Sequence, residues 1–218
     1  MRTPANLAAE FGKARMNWEA ALDHLSKNDK VLKRLIRKVG PCALRPRRGI
    51  EPFVALVRSV AYQQLSGKAA ATILGRVCAL FPDKSFPDPK DLIAIPGERL
   101  RAAGLSGAKA AAIKDIAART LDGTVPVRRQ IQKLSDEEIV QRLTVIRGVG
   151  PWTVEMLLMF TLCRPDVLPS TDYGVRKGFA LTYKWRELPR PLELMEYGER
   201  WRPYRSVASW YMWRALEL

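Results

Sequence analysis

The sequence has few of the residues from which many catalytic and metal sites are built. His24 is the only histidine among 218 residues, which excludes most histidine-dependent catalysis and the common zinc sites. Cys42, Cys78 and Cys163 lie far apart, and this spacing suggests neither a disulfide framework nor a cysteine-based metal cluster. Candidate chemistry must therefore be sought among other side chains.

The sequence also has no long apolar run and no apolar signal-peptide core. Its densest apolar stretch, residues 154–163, is too short to span a membrane and contains Glu155. The first residues, MRTPANLAAEFGKARM, are too polar for a secretory leader. We therefore expect a soluble protein with no membrane partner that is not secreted, cytoplasmic in a prokaryote or nuclear in a eukaryote.

Acidic residues are strongly outnumbered by basic ones. Lysine and arginine total 37 against 22 aspartates and glutamates, which gives a net charge of +15. Such a balance attracts polyanions, so a nucleic-acid partner is favoured over a basic surface that serves only solubility. An anionic membrane is the weaker alternative, because the sequence has no basic amphipathic anchor helix.

Alternating strand patterns are missing, and apolar residues follow helical spacing almost throughout. In residues 51–65 they fall on one helical face, with Pro52 suited to the first turn. Ser66 can cap the next helix, and residues 135–138, SDEE, form a capping box. Residues 125–134, VPVRRQIQKL, are predicted to be a loop with a short extended piece. The fold class is all-α.

The stretch IRGVGPWTVEM at residues 146–156 predicts a helix, a glycine turn and a second helix. Gly148 and Gly150 allow a tight backbone that other residues resist. Such a turn exposes backbone N–H groups at a helix start, where a phosphate can bind. The alternative is a helical hairpin without a ligand, which a GxG pattern alone does not exclude.

A longer stretch, LTVIRGVGPWTVEMLLMFTLCRPDVLPSTDYGVRKGF, resembles the helix-hairpin-helix (HhH-GPD) signature of base-excision DNA glycosylases. It is most similar to the 3-methyladenine DNA glycosylase II branch, with tryptophan and threonine after the hairpin and an LPSTD loop. Three further segments match: VAYQQLSGKAA, LRAAGLSGAKAAAIKDIA and WRPYRSVASWYMW. The resemblance spans roughly residues 50–215, and five ordered motifs make chance an unsatisfactory explanation.

The resemblance implies a monofunctional glycosylase that flips alkylated purines, such as 3-methyladenine and 7-methylguanine, out of double-stranded DNA and hydrolyses the N-glycosidic bond. This reaction starts base excision repair. Asp172 matches the catalytic aspartate, although an Asp before a helix is usually an N-cap, and the two roles are compatible. Asp166, in the same loop, is expected to be structural or solvent-facing. Trp152 occupies the position at which strand-cleaving members carry a lysine, so an abasic site is the expected product.

The resemblance also assigns the remaining site residues. The duplex wedge is expected at Gln64, with Leu65 and Gln63 beside it; the alternative is that Gln64 caps a helix end and Leu65 belongs to the core. Aromatic faces attract a cationic alkylated purine by ~0.5–2 kcal/mol, and the base-pocket candidates are Trp152, Trp213, Met156, Tyr62 and Trp210. Phosphate contacts are expected from Arg147, Gly148, Val149, Gly150, Trp152, Thr153 and Lys68, with Lys109 and Arg176 as further candidates.

No cofactor is expected apart from a monovalent cation, Na⁺ or K⁺, at hairpin carbonyls near Ile146 and Gly148. The four closely spaced cysteines of the iron–sulfur relatives are not in the sequence, so no cluster is expected.

The resemblance predicts one HhH-GPD domain, residues 1–218, made of two helical lobes with the active site in the cleft between them. Lobe A would comprise residues 50–136, and lobe B residues 1–49 with 137–218, acting as a monomer. Two other functions stay open at this point. One is a non-catalytic helix-hairpin-helix DNA-binding module, and the other is a bifunctional glycosylase/lyase for oxidised bases, which Trp152 disfavours.

Overall fold

A computed structural model of the chain describes residues 17–44 and 49–218. All regular secondary structure in these two ranges is helical, with no strand, which confirms the all-α prediction. The sequence NLAAEFGKARMNWEAALDHL, residues 6–25, also looks helical, and its part before Asn17 lies outside the described residues. Within the described ranges, every helix falls short of the length and apolar character that a membrane crossing requires.

The helices follow one another with short connections. In chain order they are α1 (Trp18–Asn28), α2 (Lys30–Val39), α3 (Pro52–Tyr62), α4 (Gly67–Ala79), α5 (Pro89–Ala94), α6 (Gly97–Ala102), α7 (Gly107–Leu121), α8 (Arg128–Ile131), α9 (Asp136–Leu143), α10 (Pro151–Phe160), α11 (Tyr173–Tyr183), α12 (Pro191–Gly198) and α13 (Arg205–Arg214). Two 3₁₀ turns, Glu199–Trp201 and Ala215–Glu217, flank α13.

The chain divides into two compact units. The terminal unit comprises the described residues of Met1–Pro46 with Leu158–Leu218, and the central unit those of Arg47–Leu157. Residues 137–157, which the sequence analysis assigned to lobe B, group with the central unit in this division. Hairpin contacts account for this grouping: Gln63 donates to the carbonyl of Gly148 at 3.1 Å, and Asp115 accepts the backbone N–H of Arg147 at 2.8 Å.

Helix starts in the central unit follow the predicted caps. The hydroxyls of Ser66 and Ser106 accept backbone N–H groups of α4 and α7 at 3.3 and 3.2 Å. Ser135 and Glu138 form the reciprocal capping box at the start of α9. Each cap satisfies a donor that the helix itself leaves unpaired, which stabilises the helix by about 1 kcal/mol.

The prediction of a loop with an extended piece at residues 125–134 is wrong, because α8 occupies Arg128–Ile131. The carboxylate of Glu51 accepts the backbone N–H of Arg128 at 3.0 Å, and the Arg128 guanidinium donates to the carbonyl of Ile50 at 3.1 Å. Ile131 is fully buried. These tertiary contacts outweigh a local sequence that has no clear helical pattern.

In the terminal unit, α11 and α13 pack backbone to backbone. A Cβ placed on Gly178 would lie 1.8 Å from the carbonyl oxygen of Met212, so no side chain fits at this position. Around this crossing lies an apolar core that includes Phe179, Trp201 and Tyr211, all fully buried. The close approach fixes the position of α13 relative to the start of α11.

Asp29 supplies a polar centre within this core. Its Oδ1 accepts the backbone N–H groups of Val31 and Leu32, which caps α2. Its Oδ2 accepts from the Tyr183 and Tyr197 hydroxyls and the Trp201 indole N–H at 2.6, 3.3 and 3.0 Å. Burial and the bond to Asp29 together raise the pKa of Tyr183 well above its usual range. A buried carboxylate with five donors is fully compensated and stabilises one arrangement of these helices.

Candidate active site and hairpin

Asp172 lies at the N-cap of α11, as its position in the sequence predicted. Its Oδ1 accepts the backbone N–H of Val175 at 2.8 Å and the indole N–H of Trp213 at 2.9 Å. The preceding Leu168, Pro169 and Ser170 are buried, and the backbone N–H of Asp172 donates to the Pro169 carbonyl at 3.0 Å. The carboxylate is therefore fixed in position, half-buried, at the positive end of a helix dipole that favours negative charge.

Trp213 reaches Asp172 because Gly174 has no side chain. A Cβ on Gly174 would lie 2.8 Å from the Trp213 ring and 3.1 Å from Asp172 Oδ1. The indole also stacks on Phe160, with ring centroids 5.8 Å apart and an interplanar angle of 28°. The structure thus brings together Asp172 and Trp213, which the sequence nominated for catalysis and the base pocket. Phe160 was missed, because helical spacing marks it only as a core residue.

Two other nominated residues of the terminal unit have structural contacts. Trp210 is 9% exposed and packs nearly perpendicular to Tyr211 within the apolar core. Asp166 accepts bonds from the guanidinium groups of Arg202 and Arg205 at 2.9 and 2.8 Å, which confirms the prediction that it is structural. The role of Trp210 in a base pocket stays a prediction.

The two hairpin glycines differ in their surroundings. Gly148 has a φ of +75°, and a Cβ there would lie 2.8 Å from the Cβ of Ala112 on α7. Gly150 has nothing within 4 Å of a built Cβ. Backbone geometry and packing therefore explain glycine at position 148, whereas the space above Gly150 is open to a ligand.

The structure narrows the set of protein backbone N–H groups that could donate a hydrogen bond to a phosphate. The N–H of Arg147 donates to Asp115, that of Val149 to the Ile146 carbonyl and that of Thr153 to the Gly150 carbonyl. Among residues 17–44 and 49–218, the N–H groups of Gly148 and Gly150 have no acceptor. These two groups are the ones best placed to bind an anion at the hairpin.

Gln63 anchors the turn between α3 and α4 to the hairpin. Its side-chain amide donates to the Gly148 carbonyl and to the Thr153 hydroxyl, both at 3.1 Å. Gln63 is thus turned inward, whereas Gln64 and Leu65 beside it are exposed. Gln64 has a φ of +57°, an uncommon conformation for a side-chain-bearing residue. Of the three wedge candidates, Gln64 and Leu65 have side chains that face outward.

Lys109 has a structural contact that the sequence analysis did not anticipate. Its ammonium group donates to the carbonyls of Ala61 and Gln63 at 2.9 and 2.6 Å, at the C-terminal end of α3. Partial burial lowers the pKa of Lys109. The side chain thus holds the α3–α4 turn that presents Gln64, and its predicted contact with a phosphate stays a prediction.

The remaining candidates are distributed over both units. In the central unit, Trp152 and Tyr62 are 37% and 40% exposed, Lys68 is exposed and Met156 is half-buried. In the terminal unit, the Arg176 guanidinium donates to the Pro189 carbonyl at 2.8 Å. Their predicted roles in the pocket and at phosphates stay predictions.

The hairpin carbonyls suit the monovalent cation that the resemblance implies. The carbonyls of Ile146 and Gly148 each accept one hydrogen bond, from Val149 and Gln63, and a carbonyl oxygen has a second lone pair to offer. Neutral oxygen ligands favour a hard cation. The described residues hold no cluster of three or more His, Cys, Asp or Glu side chains that could bind a metal ion.

A family model, sequence relatives and a solved structure all place this chain in the same family. Residues 57–203 match the model described as HhH-GPD superfamily base excision DNA repair protein. DNA-3-methyladenine glycosylase 1 of Schizosaccharomyces pombe is 38% identical over 89% of this chain and 86% of its own length. The alkylbase DNA glycosidase-like protein mag2 of the same organism is 32% identical, covering 93% of this chain and 95% of its own. A structure of the S. pombe 3-methyladenine DNA glycosylase in complex with abasic DNA superposes with a TM-score of 0.83, over 91% of this chain and 97% of that one.

Proposed function

We propose that this chain, which belongs to the HhH-GPD superfamily of base excision DNA repair proteins, is a monofunctional DNA glycosylase for alkylated purines. The relative with 38% identity is named as a DNA-3-methyladenine glycosylase, and the one with 32% identity as an alkylbase DNA glycosidase-like protein. The observation that carries the proposal is the arrangement around Asp172, whose Oδ1 is held by the α11 backbone and by Trp213. Its substrate is double-stranded DNA, which the chain binds as a monomer, in the cytoplasm or the nucleus.

The hairpin contributes binding rather than chemistry. The N–H groups of Gly148 and Gly150 point to a phosphate contact that needs no base recognition. The open space above Gly150 admits the DNA backbone, and the net charge of the chain, +15, attracts it from a distance. A monovalent cation, when bound at the hairpin carbonyls, would supply further positive charge next to that phosphate.

Asp172 contributes the chemistry. As the bond between C1′ and the base nitrogen breaks, its electron pair leaves with the base and positive charge develops on the deoxyribose. A fixed carboxylate stabilises that charge without reorganising. The same carboxylate can take a proton from the water whose oxygen bonds to C1′. An alkylated purine is already cationic, so it leaves without strong acid catalysis, which is consistent with a chain that has one histidine.

Trp213 orients the carboxylate and offers a ring surface beside it. Its indole N–H is bonded to Asp172 and its ring stacks on Phe160. An electron-rich indole face attracts a cationic base by ~0.5–2 kcal/mol. Since this attraction is not specific for one base, more than one alkylated purine is an expected substrate.

A product-release panel tests the proposal. Duplex oligonucleotides, each with a single 3-methyladenine, 7-methylguanine, hypoxanthine or ethenoadenine, are incubated with excess protein, and free bases are quantified. We expect release of at least one methylated purine and an abasic site that breaks only on later alkali treatment. Binding without release on every lesion would instead indicate a non-catalytic DNA-binding module.

A further inference from the structure

Helix α2 carries a concentration of positive charge that the proposed hairpin and Asp172 do not use. Its sequence, KVLKRLIRKV, has basic residues at Lys30, Lys33, Arg34, Arg37 and Lys38. None of these side chains has an ion pair or side-chain hydrogen bond with another described residue. Cations at a helix C-terminus complement the helix dipole, but that effect does not account for Lys30 and Lys33, which lie in the first half of the helix.

A cavity of ≈ 500 Å³ lies beside the C-terminal half of α2. Arg34 and Lys38 line it from α2, and Thr182 and Lys184 line it from the end of α11. No aspartate or glutamate side chain lines the cavity, and Glu217 nearby in sequence is paired with Arg214 at 2.8 Å. Three cations, Arg34, Lys38 and Lys184, therefore line one space.

We infer that this cavity and the basic face of α2 form a second phosphate-binding surface, which takes the phosphodiester backbone of nucleic acid. A phosphate offers the hydrogen-bond acceptors that Arg34, Lys38 and Lys184 lack. The further basic residues of α2 then contact flanking phosphates. That the nucleic acid is DNA rests on the proposed function, whereas the site itself rests on the cavity.

A nucleic acid fits this surface better than an anionic membrane. Leu32 and Leu35 of α2 are 0% and 7% exposed and belong to the core of the terminal unit, and the half-buried Ile36 packs against that core. An interfacial helix needs an apolar face to insert between lipids, whereas the apolar face of α2 packs against the core of the protein. The residues of α2 that are exposed, Lys30, Arg34, Arg37 and Lys38, are all basic.

The test compares two variants of the full chain that lose the same charge. The cavity variant carries Arg34→Gln, Lys38→Gln and Lys184→Asn. The control variant carries Lys90→Gln, Arg129→Gln and Lys133→Gln, three exposed cations of the central unit that have no side-chain partner among the described residues. Binding to a short undamaged duplex is measured by fluorescence anisotropy over a range of salt concentrations, and circular dichroism checks folding.

We expect the slope of log K against log salt to fall by about 2 to 3 in the cavity variant, because each phosphate contact contributes about 0.9 to the slope. The control variant should change it by less than about 1. Equal slopes in the two variants would overturn the inference. If the triple variant does not fold, the single variant Lys184→Asn must lower the slope by about 1; no change there would equally overturn it.

Two further measurements distinguish this inference from the proposed function and from binding to membranes. Base release from alkylated duplex at saturating protein should be the same for the cavity variant and the unmodified chain, since the cavity does not touch Asp172. If the unmodified chain releases no base but the slopes still differ, the proposed function fails and the phosphate surface stands. Loss of binding to phosphatidylserine vesicles with an unchanged DNA slope would assign the surface to membranes and contradict the inference.

Discussion

At the scale of single residues, the proposed base release depends on how the α11 backbone and Trp213 hold the Asp172 carboxylate. Its Oδ1 accepts from the backbone of α11 and from Trp213, so one oxygen serves both as helix cap and as the point of attachment for an indole. A carboxylate held from two directions keeps its orientation when a nucleotide is bound. The N-cap interpretation and the catalytic interpretation of Asp172 are therefore two consequences of one geometry.

Replacing Trp213 with phenylalanine isolates the indole hydrogen bond. The Trp213→Phe variant keeps an aromatic ring against Phe160 but removes the donor to Asp172. We expect single-turnover base release to slow by roughly 10- to 100-fold, because a misplaced catalytic group is costly. Trp185→Phe is the matched control, since Trp185 is 42% exposed and contacts Phe179 instead. Equal rates for the two variants would show that the Trp213 bond does not position the carboxylate.

Alanine at the two hairpin glycines should affect different quantities: stability at position 148 and DNA affinity at position 150. Gly148→Ala places a Cβ at positive φ and 2.8 Å from Ala112, so we expect a loss of about 1–3 kcal/mol in the free energy of unfolding. Gly150→Ala meets no atom within 4 Å and should leave stability nearly unchanged while weakening affinity for undamaged duplex. Urea denaturation and anisotropy titration measure the two quantities. Unchanged DNA affinity in Gly150→Ala would remove the phosphate contact at this turn.

At the scale of elements, the crossing of α11 and α13 places Trp213 beside Asp172. The two residues are 41 positions apart in the sequence, and they meet because Gly178 lets the helix backbones touch. This crossing is therefore a structural requirement of the site as well as of the core.

Gly178→Ala tests that crossing. Its Cβ would lie 1.8 Å from the Met212 carbonyl oxygen, so the helices must move apart. We expect a loss of at least about 2 kcal/mol in the free energy of unfolding. Gly75→Ala, inside α4 with nothing within 4 Å, is the control and should raise that free energy by about 0.5–1 kcal/mol. Similar stability in the two variants would mean that the helices do not need the glycine.

The sequence predicted most elements because their signals are local. Proline at the start of α3, serine caps at α4 and α7, and the capping box of α9 all act within one helical turn. The α8 helix was missed because its stability comes from Glu51 and a buried Ile131. Asp29 was missed for the same reason, since Tyr183 donates to it from 154 positions away.

In the candidate site, too, residues with a local sequence signal were predicted and residues that depend on distant partners were missed. Asp172 and the hairpin glycines were identified through motifs, and their positions at a helix start and a turn follow from local sequence. The Phe160 stack, the inward turn of Gln63 and the structural role of Lys109 depend on partners distant in sequence. Residue type alone gives no indication of which lysine or glutamine faces a ligand and which faces a backbone carbonyl.

At the scale of the whole molecule, the reaction should end at the abasic site. A lyase attacks the sugar through a lysine amine, and Trp152 occupies the corresponding hairpin position. We expect that borohydride added during turnover on an alkylated duplex traps no covalent protein–DNA adduct. A Trp152→Lys variant, run in parallel, shows whether an amine at this position is sufficient for trapping. A trapped adduct with the unmodified chain would instead indicate a bifunctional enzyme.

The Asp172→Asn variant tests whether the Asp172 carboxylate performs the chemistry. Asparagine keeps an Oδ1 that can accept from Val175 and Trp213, so the fold should persist, whereas the negative charge is lost. Asp166→Asn changes a carboxylate of the same loop that is paired with Arg205 and serves as control. We predict single-turnover release of a methylated purine at least ~10²-fold slower in Asp172→Asn and unchanged in folded Asp166→Asn. Release by Asp172→Asn at the rate of the unmodified chain would show that the Asp172 carboxylate does not perform the chemistry.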